Sequence, residues 1–304
     1  MVDGSSSHDV MKFFKDGFVV LENCVPRAEC QRFYRETLEP TLKEYNIDCN
    51  DPTTWCLENV SAYVMNEGSI DGKAVGIMVR DLGRGGADPI QHDTDKRWPA
   101  LFQSEKLLKF LDFLHGDAKN WHWLHDDNVG WIHARFPVLS KDDEVRREQL
   151  SAVQAFNWHV DGGHFDIHKI SSLEQSVVAL PIICDVERNG GNTLVIGGSH
   201  RHVLRHLKDN AEIGVHKSEL HQFCENFAQN AHSHDIIEAS PCKAGDVLVL
   251  HPFVIHCASV NSVGNGVRLT FNMGTRWSSS YALLDTSVEN GVRSPIEQHM
   301  LNEC

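Results

Sequence analysis

Between about residue 118 and residue 277 the chain is broken into short β-rich runs separated by turn residues, and this constrains its fold more than any other feature. The runs are 131–136, 155–159, 176–183, 192–196, 246–250 and 267–273. Earlier in the chain, residues 27–45 (RAECQRFYRETLEPTLKEY) and 100–115 carry apolar side chains at three- and four-residue spacing, which predicts helices. Helical runs followed by strand runs point to an all-β core with helical buttressing. Two antiparallel sheets stacked as a jelly roll leave a mouth at one end where a ligand fits. The last run alternates, with Arg268, Thr270 and Asn272 on one face and Leu269, Phe271 and Met273 on the other, so the polar face is expected to line that site. No Pro/Gly/Ser linker divides the 304 residues. The expectation is one domain over 1–304: a mainly helical part at 1–117, the jelly-roll core at 118–280, and a tail at 281–304.

Four polar residues of this β-rich half stand out: His159 and Asp161 in NWHVDGGHF, then His256 and Arg268. Residues i and i+2 of an extended segment point the same way, so His159 and Asp161 can grip one ion together. His256 closes the apolar run Val247-Leu-Val-Leu-His-Pro-Phe-Val-Ile-His, which reads as a buried strand bringing a third ligand. Two imidazoles and one carboxylate are the ligand set of non-haem Fe(II) oxygenases, since three protein ligands leave three positions open. Arg268 opens the next run after the turn SVGNG, and an antiparallel return would carry its guanidinium back toward His256. A buried guanidinium needs an anion, and its planar fork suits a carboxylate. A dicarboxylate chelating iron through its other end, 2-oxoglutarate, supplies one.

At these residues the chain resembles the phytanoyl-CoA dioxygenase family of Fe(II)/2-oxoglutarate oxygenases. The resemblance also covers FFKDGFVVLENCVPRAEC, similar to that family's opening strand and helix, GGNTLVIGGSHRH, similar to its Gly-rich strand and Gly-Ser-His turn, and the pattern His256, Asn261, Arg268. It spans roughly residues 10 to 277. The gap of twelve from His256 to Arg268 is toward the long end for the family, and Arg276 is the alternative for that role. The resemblance implies a double-stranded β-helix, cupin-like core, Fe(II) held by His159, Asp161 and His256, 2-oxoglutarate and O₂ as co-substrates, and ascorbate as a candidate reductant. The implied reaction is oxidation, usually hydroxylation, of an unactivated carbon of a small-molecule substrate with release of succinate and CO₂.

Each residue also has a structural reading. His159 and Asp161 could be a hydrogen-bonded pair beside a turn. His251 competes with His256, but it precedes Pro252, which biases it to an extended turn. Arg268 could bind a structural carboxylate. Ser259 and Asn261 either hydrogen-bond the co-substrate or hold the turn. Gln154, Asn157 and Thr193 are candidates for binding the co-substrate or orienting a ligand, with strand or turn roles as the alternative. His164, His168, His92 and the cluster at 121–125 could line a substrate pocket or be ordinary core and surface side chains.

Acidic residues outnumber basic ones by 42 to 28, a net charge of −14, which disfavours nucleic acid as a partner. The most basic stretch, 200–208, reads as a solvated helix. Residues 140–150 read as a charged surface loop. The nine cysteines contain no CxxC pair and follow no recognisable signal peptide, and no run of about 18 apolar residues exists, so reduced thiols, a cytoplasmic location and no membrane span are expected. Two other readings stay open: a non-catalytic iron/2-oxoglutarate sensor, and a cupin-type metalloenzyme that does not use 2-oxoglutarate.

Overall fold

The computed structural model describes residues 7–55, 64–66, 69–70, 73–74, 76–79, 103–124, 131–137, 155–162, 165–172, 176–239, 241–263, 266–278 and 293–303. The expected loop at 140–150, Gln154, His92, His125 and His164 lie outside them. Among these residues the helices are α1 (Ser7–Asp16), α2 (Arg27–Phe33), α3 (Glu39–Glu44), α4 (Glu105–His115), α5 (His200–Asp209), α6 (Lys217–Asn230) and α7 (Pro295–Glu303). A π-helical turn, Tyr34–Leu38, joins α2 to α3 just before Pro40, which brings no amide to the helical ladder. The expected helix at 100–115 starts at Glu105, where the Ser104 hydroxyl accepts the Leu107 amide. It ends at Gly116, whose φ of 81° closes the last turn. Its buried face, Leu107, Phe110, Leu111 and Leu114, follows the spacing seen in the sequence.

The strands of the two main sheets are β1 (Phe18–Leu21), β2 (Val64–Asn66), β3 (Gly76–Val79), β4 (Trp121–Trp123), β5 (Trp131–Arg135), β6 (Ala155–His159), β7 (Val178–Pro181), β8 (Thr193–Ile196), β9 (Ile236–Glu238), β10 (Val247–Leu250), β11 (His256–Ser259) and β12 (Arg268–Trp277). The eight-stranded sheet runs β1-β10-β7-β12-β5-β3-β2, with β4 on the far part of β12. The four-stranded sheet runs β9-β8-β11-β6. Pairing is antiparallel throughout both. The sheets stack as the expected jelly roll: mainly β, with flanking α-helices.

Alternation sorts the larger sheet into two faces. Phe18, Val178, Leu180, Leu248 and Leu250 join Val195 of the smaller sheet in a core between the layers. Val19, Leu21, Ala179, Val247, Val249, Leu269 and Phe271 belong to the core shared with the helices. Phe33 of α2 meets Phe271 edge-on, with ring centroids 5.6 Å apart. Because Val178 is opposite Gly274 and Ala179 opposite Met273, the even positions of β12 face the interior of the roll. The polar face read from the sequence is therefore the inner one.

Three expectations need correction. The run from Val247 to His256 is not one strand: β10 ends at Leu250, Pro252 and Phe253 turn the chain, and β11 begins in the other sheet. Proline cannot donate to a ladder, so the strand stops there. β11 and β12 consequently form no hairpin; Arg268 and His256 lie in opposite sheets. Within 1–117 the described residues form β1, β2 and β3 beside the helices, and within 281–304 they form α7, which buries Ile296 and Met300. Finally, the basic stretch is α5, solvated on only one face: His202, Arg205 and Lys208 are exposed, while His200, Val203, Leu204 and Leu207 are buried. No helix among the described residues is long and apolar enough to cross a membrane. The seven described cysteines are unpaired with one another.

Candidate metal centre

His159 ends β6 and His256 begins β11, and the two are direct partners in the register of that sheet. Cross-strand partners project from the same face, here the inner one. Asp161 follows at a turn. Gly162 takes φ 107° just after it, and a Cβ there would press on Phe165 at 2.8 Å. One ligand atom from each of the three residues lies within 4.8 Å of the others, and among the described residues this is the set that could hold a metal.

The orientation of the rings is the decisive detail. His159 Nδ1 hydrogen-bonds the Asn157 carbonyl at 2.6 Å and His256 Nδ1 the Val254 carbonyl at 3.0 Å. Each Nδ1 donates to a main-chain oxygen, so each Nε2 is left as the lone-pair nitrogen. Those two Nε2 atoms face the Asp161 carboxylate, at 3.9 Å from Oδ1 and 3.7 Å from Oδ2. Such distances are too long for hydrogen bonds and leave room for an interposed cation. Burial, reinforced by His159 and opposed by Asp161, pushes the His256 pKa down to about 4, so the imidazole is neutral and ready to ligate. His256 is nearly enclosed, whereas the side chains of His159 and Asp161 keep 33% and 22% of their exposure, which opens one flank of the site.

Arg268 is buried on the inner face of β12 and donates from Nη2 to Thr193 Oγ1 at 3.3 Å, bridging the two sheets. Thr193 is opposite Ala258 and Val195 opposite His256, so the guanidinium sits about one pleat deeper than the triad. Ser259 Oγ is a buried hydroxyl with no hydrogen-bond partner, an orphan that a polar guest would satisfy. Asn261 is placed differently: its Nδ2 donates to the carbonyls of Arg135 and Gly266, holding the turn before β12. Asn157 contributes its carbonyl and a left-handed backbone, φ 62°, while its side chain points to solvent. Arg276 pairs with His122 of β4, remote in register from the triad.

Two inner-face residues went unnoticed in the sequence. His133 and Arg135 of β5 are opposite Thr270 and Arg268, and His133 is among the charges acting on His256. The alternation Ile132, Ala134, Phe136 against His133 and Arg135 was the available signal.

A jelly roll whose smaller sheet aims two Nε2 atoms and a carboxylate at one point defines a cupin-like fold with a set of donors that could hold a metal. Its residues 112–268 match the model of the family described as Phytanoyl-CoA dioxygenase (PhyH), and the chain belongs to that family. No curated protein sequence matches the chain. Among solved structures it is similar to the non-heme alpha ketoglutarate dependent carbocyclase SnoK from nogalamycin biosynthesis (13% identity, 96% of this chain and 93% of that one, TM-score 0.58). It is also similar to the epimerase SnoN in complex with Fe3+, alpha ketoglutarate and nogalamycin RO (16% identity, 94% and 91%, TM-score 0.54). A third is EctD from S. alaskensis with 2-oxoglutarate and 5-hydroxyectoine (16% identity, 90% and 76%, TM-score 0.51). At such identities the likeness establishes the fold.

Proposed function

We propose that the protein is an Fe(II)- and 2-oxoglutarate-dependent dioxygenase that hydroxylates an unactivated carbon of a small-molecule substrate. The observation that carries the reading is the convergence of His159 Nε2, His256 Nε2 and the Asp161 carboxylate, with both Nδ1 atoms tied to the main chain. The donor set suits Fe(II) and leaves one side of the ion to co-substrate and O₂. Bound iron with 2-oxoglutarate supplies the oxidising power, consuming O₂ and releasing succinate and CO₂.

The chain's own residues bind and orient. The Arg268 guanidinium, one pleat below the triad, receives the far carboxylate of 2-oxoglutarate, with the Thr193 hydroxyl steadying it. Ser259 Oγ offers the co-substrate a further hydrogen bond. The apolar walls between the sheets, Leu180, Val195 and Leu248 among them, keep water from the inner end of the site. The substrate enters from the flank where His159 and Asp161 are exposed.

The test is an anaerobic titration with Fe(II) and then 2-oxoglutarate, watching for the visible metal-to-ligand charge-transfer band of the chelate. The band is expected, and its half-saturation should rise in Arg268→Ala. Iron binding with no band at any 2-oxoglutarate concentration would overturn the proposal in favour of a metalloenzyme that does not use this co-substrate.

A further inference from the structure

Among the described residues, the strand that carries His159 is an edge strand. β6 pairs with β11 on one side, and the four-stranded sheet ends there. An edge strand presents main-chain groups with no neighbouring strand to take them. On β6 those groups meet α6 instead. The Trp158 amide donates to Glu225 Oε1 at 2.8 Å, and the Val160 amide lies against the sulfur of the fully buried Cys224. Two adjacent side chains of one helix thus take the amides on either side of His159.

The same helix also holds the far end of the ligand segment. At its first residue, the Lys217 amide donates to the Asp166 carbonyl at 2.9 Å and the Lys217 ammonium pairs with the Asp166 carboxylate at 2.8 Å. His159 and Asp161 lie between these attachments. α6 is therefore a splint laid along the segment that provides two of the three proposed ligands.

The splint matters because the segment is irregular. His256 is opposite His159 and Ala258 opposite Phe156, so between these pairs the single residue Cys257 of β11 faces two of β6, Asn157 and Trp158. The extra residue is a bulge at Asn157–Trp158, where Asn157 takes its positive φ. A one-residue slip in pairing would turn His159 away from the interior, since strand side chains alternate. The Asn157 carbonyl that orients the His159 ring belongs to the same bulge.

We infer that Glu225 is a positioning residue for the metal centre: by accepting the Trp158 amide it holds the Asn157–Trp158 bulge in the register that keeps His159 aimed inward. The inference rests on the reading of His159, Asp161 and His256 as metal ligands. Glu225 touches neither the metal nor substrate; it acts through the main chain of β6.

The experiment compares Glu225→Met, which keeps the side chain's length and helix propensity but removes the acceptor oxygen, with Glu225→Gln, which keeps that oxygen. Fe(II) affinity of the full chain is measured anaerobically, with the 2-oxoglutarate charge-transfer band as spectroscopic readout and the melting temperature of the metal-free protein alongside. Glu225→Met should weaken Fe(II) binding about 10–100-fold, the range for partners that orient a ligand, while Glu225→Gln restores it to within about threefold of wild type. Glu219→Ala, on the exposed side of the same helix, should leave affinity unchanged. If Glu225→Met does not fold, Glu225→Asp is read in the same way, since it withdraws the oxygen by one methylene.

Wild-type Fe(II) affinity in the Met variant, or in the Asp variant where that replaces it, would overturn the inference. So would a Gln variant as weak as the Met variant. A fall in metal-free melting temperature with unchanged Fe(II) affinity would likewise overturn it, reducing Glu225 to a packing role. A wild-type protein that takes up no Fe(II) would sink the metal assignment itself, an outcome distinct from all of these.

Discussion

Two groups of three residues, each built around histidine, sit in this molecule, and the six-residue stretch from His251 to His256 contributes to both. His256 joins His159 and Asp161. His251, at the corner between the sheets, joins His200 of α5 and His299 of α7, with ring centroids 4.6–5.7 Å apart. The second group is richer in imidazole yet has no convergent carboxylate among the described residues. His200 Nε2 lies 3.1 Å from His299 Nε2 and 3.2 Å from the Phe14 carbonyl, and the nearby Glu303 is taken by Arg201 at 3.2 Å. Burial, with help from neighbouring cations, holds His200 at about 3 and His251 well below its ordinary value. What separates a metal site from a packed core is therefore not the count of imidazoles. It is a carboxylate facing both Nε2 atoms, and main-chain acceptors that fix each tautomer.

The sharpest way to break this comparison is a pair of substitutions. Asp161→Ala should abolish turnover and weaken Fe(II) binding by more than the roughly 10–100-fold seen when only a ligand's partner is removed. His251→Ala should leave Fe(II) affinity intact while destabilising the fold by about 2–4 kcal/mol, as a large-to-small change in a core does. Equilibrium dialysis against Fe(II) and chemical denaturation check both. Iron held by Asp161→Ala at wild-type affinity, or lost from a folded His251→Ala, would erase the distinction.

This difference was only partly legible in the sequence. His-x-Asp spacing, the flanks of His256 and the alternation of β12 all survive in the structure, because they are local consequences of strand periodicity. The corner at Pro252 was missed: the apolar run is continuous on both sides of it, and periodicity cannot show where a buried strand changes sheets. The β6 bulge and the Glu225 contact were invisible too, since they join residues 67 positions apart. Arg268 was expected near His256 through a hairpin; it lies instead in the opposite sheet, beside Arg135.

Arg268→Ala sharpens the comparison from the co-substrate side. Removing a charged partner of a buried carboxylate costs about 2–5 kcal/mol, so the 2-oxoglutarate concentration needed for half-saturation should rise at least about tenfold. Fe(II) affinity without 2-oxoglutarate should stay near wild type, because the guanidinium lies a pleat away from the triad. Titration of the charge-transfer band separates the two quantities. A large loss of iron binding in the absence of 2-oxoglutarate would show that Arg268 supports the triad itself.

Acid should destabilise the metal-free protein through its buried imidazoles, those of the second group and His115 among them. His200, His251 and His115, the last held at about 4 by burial, are all depressed in the folded protein. As pH falls through about 6.5 the unfolded chain takes up protons that the native one refuses, so stability is complete above that pH and drains as pH drops toward 4. Each such group costs about 1.4 kcal/mol per pH unit in this window. Denaturant midpoints from pH 7.5 to 4.5 should fall steadily in the metal-free wild type and less steeply in His115→Gln, whose amide can still bond Ser176. Identical slopes would mean that His115 is not the buried neutral imidazole described here.

The smallest effect belongs to Thr193, and its smallness is informative. Its hydroxyl accepts one hydrogen bond from Arg268 at 3.3 Å, a long contact between buried partners. Thr193→Val keeps the β-branched shape that packs in β8 and removes only that acceptor. If the guanidinium is held chiefly by its anion, the loss is worth about 0.5–1.5 kcal/mol, seen as a few-fold rise in 2-oxoglutarate half-saturation. If Thr193 instead sets the position of Arg268, Thr193→Val should approach the effect of Arg268→Ala. Measured in one titration series, the ratio of the two losses tells whether the inner end of the roll is organised by its own hydrogen bonds or by the co-substrate that enters it.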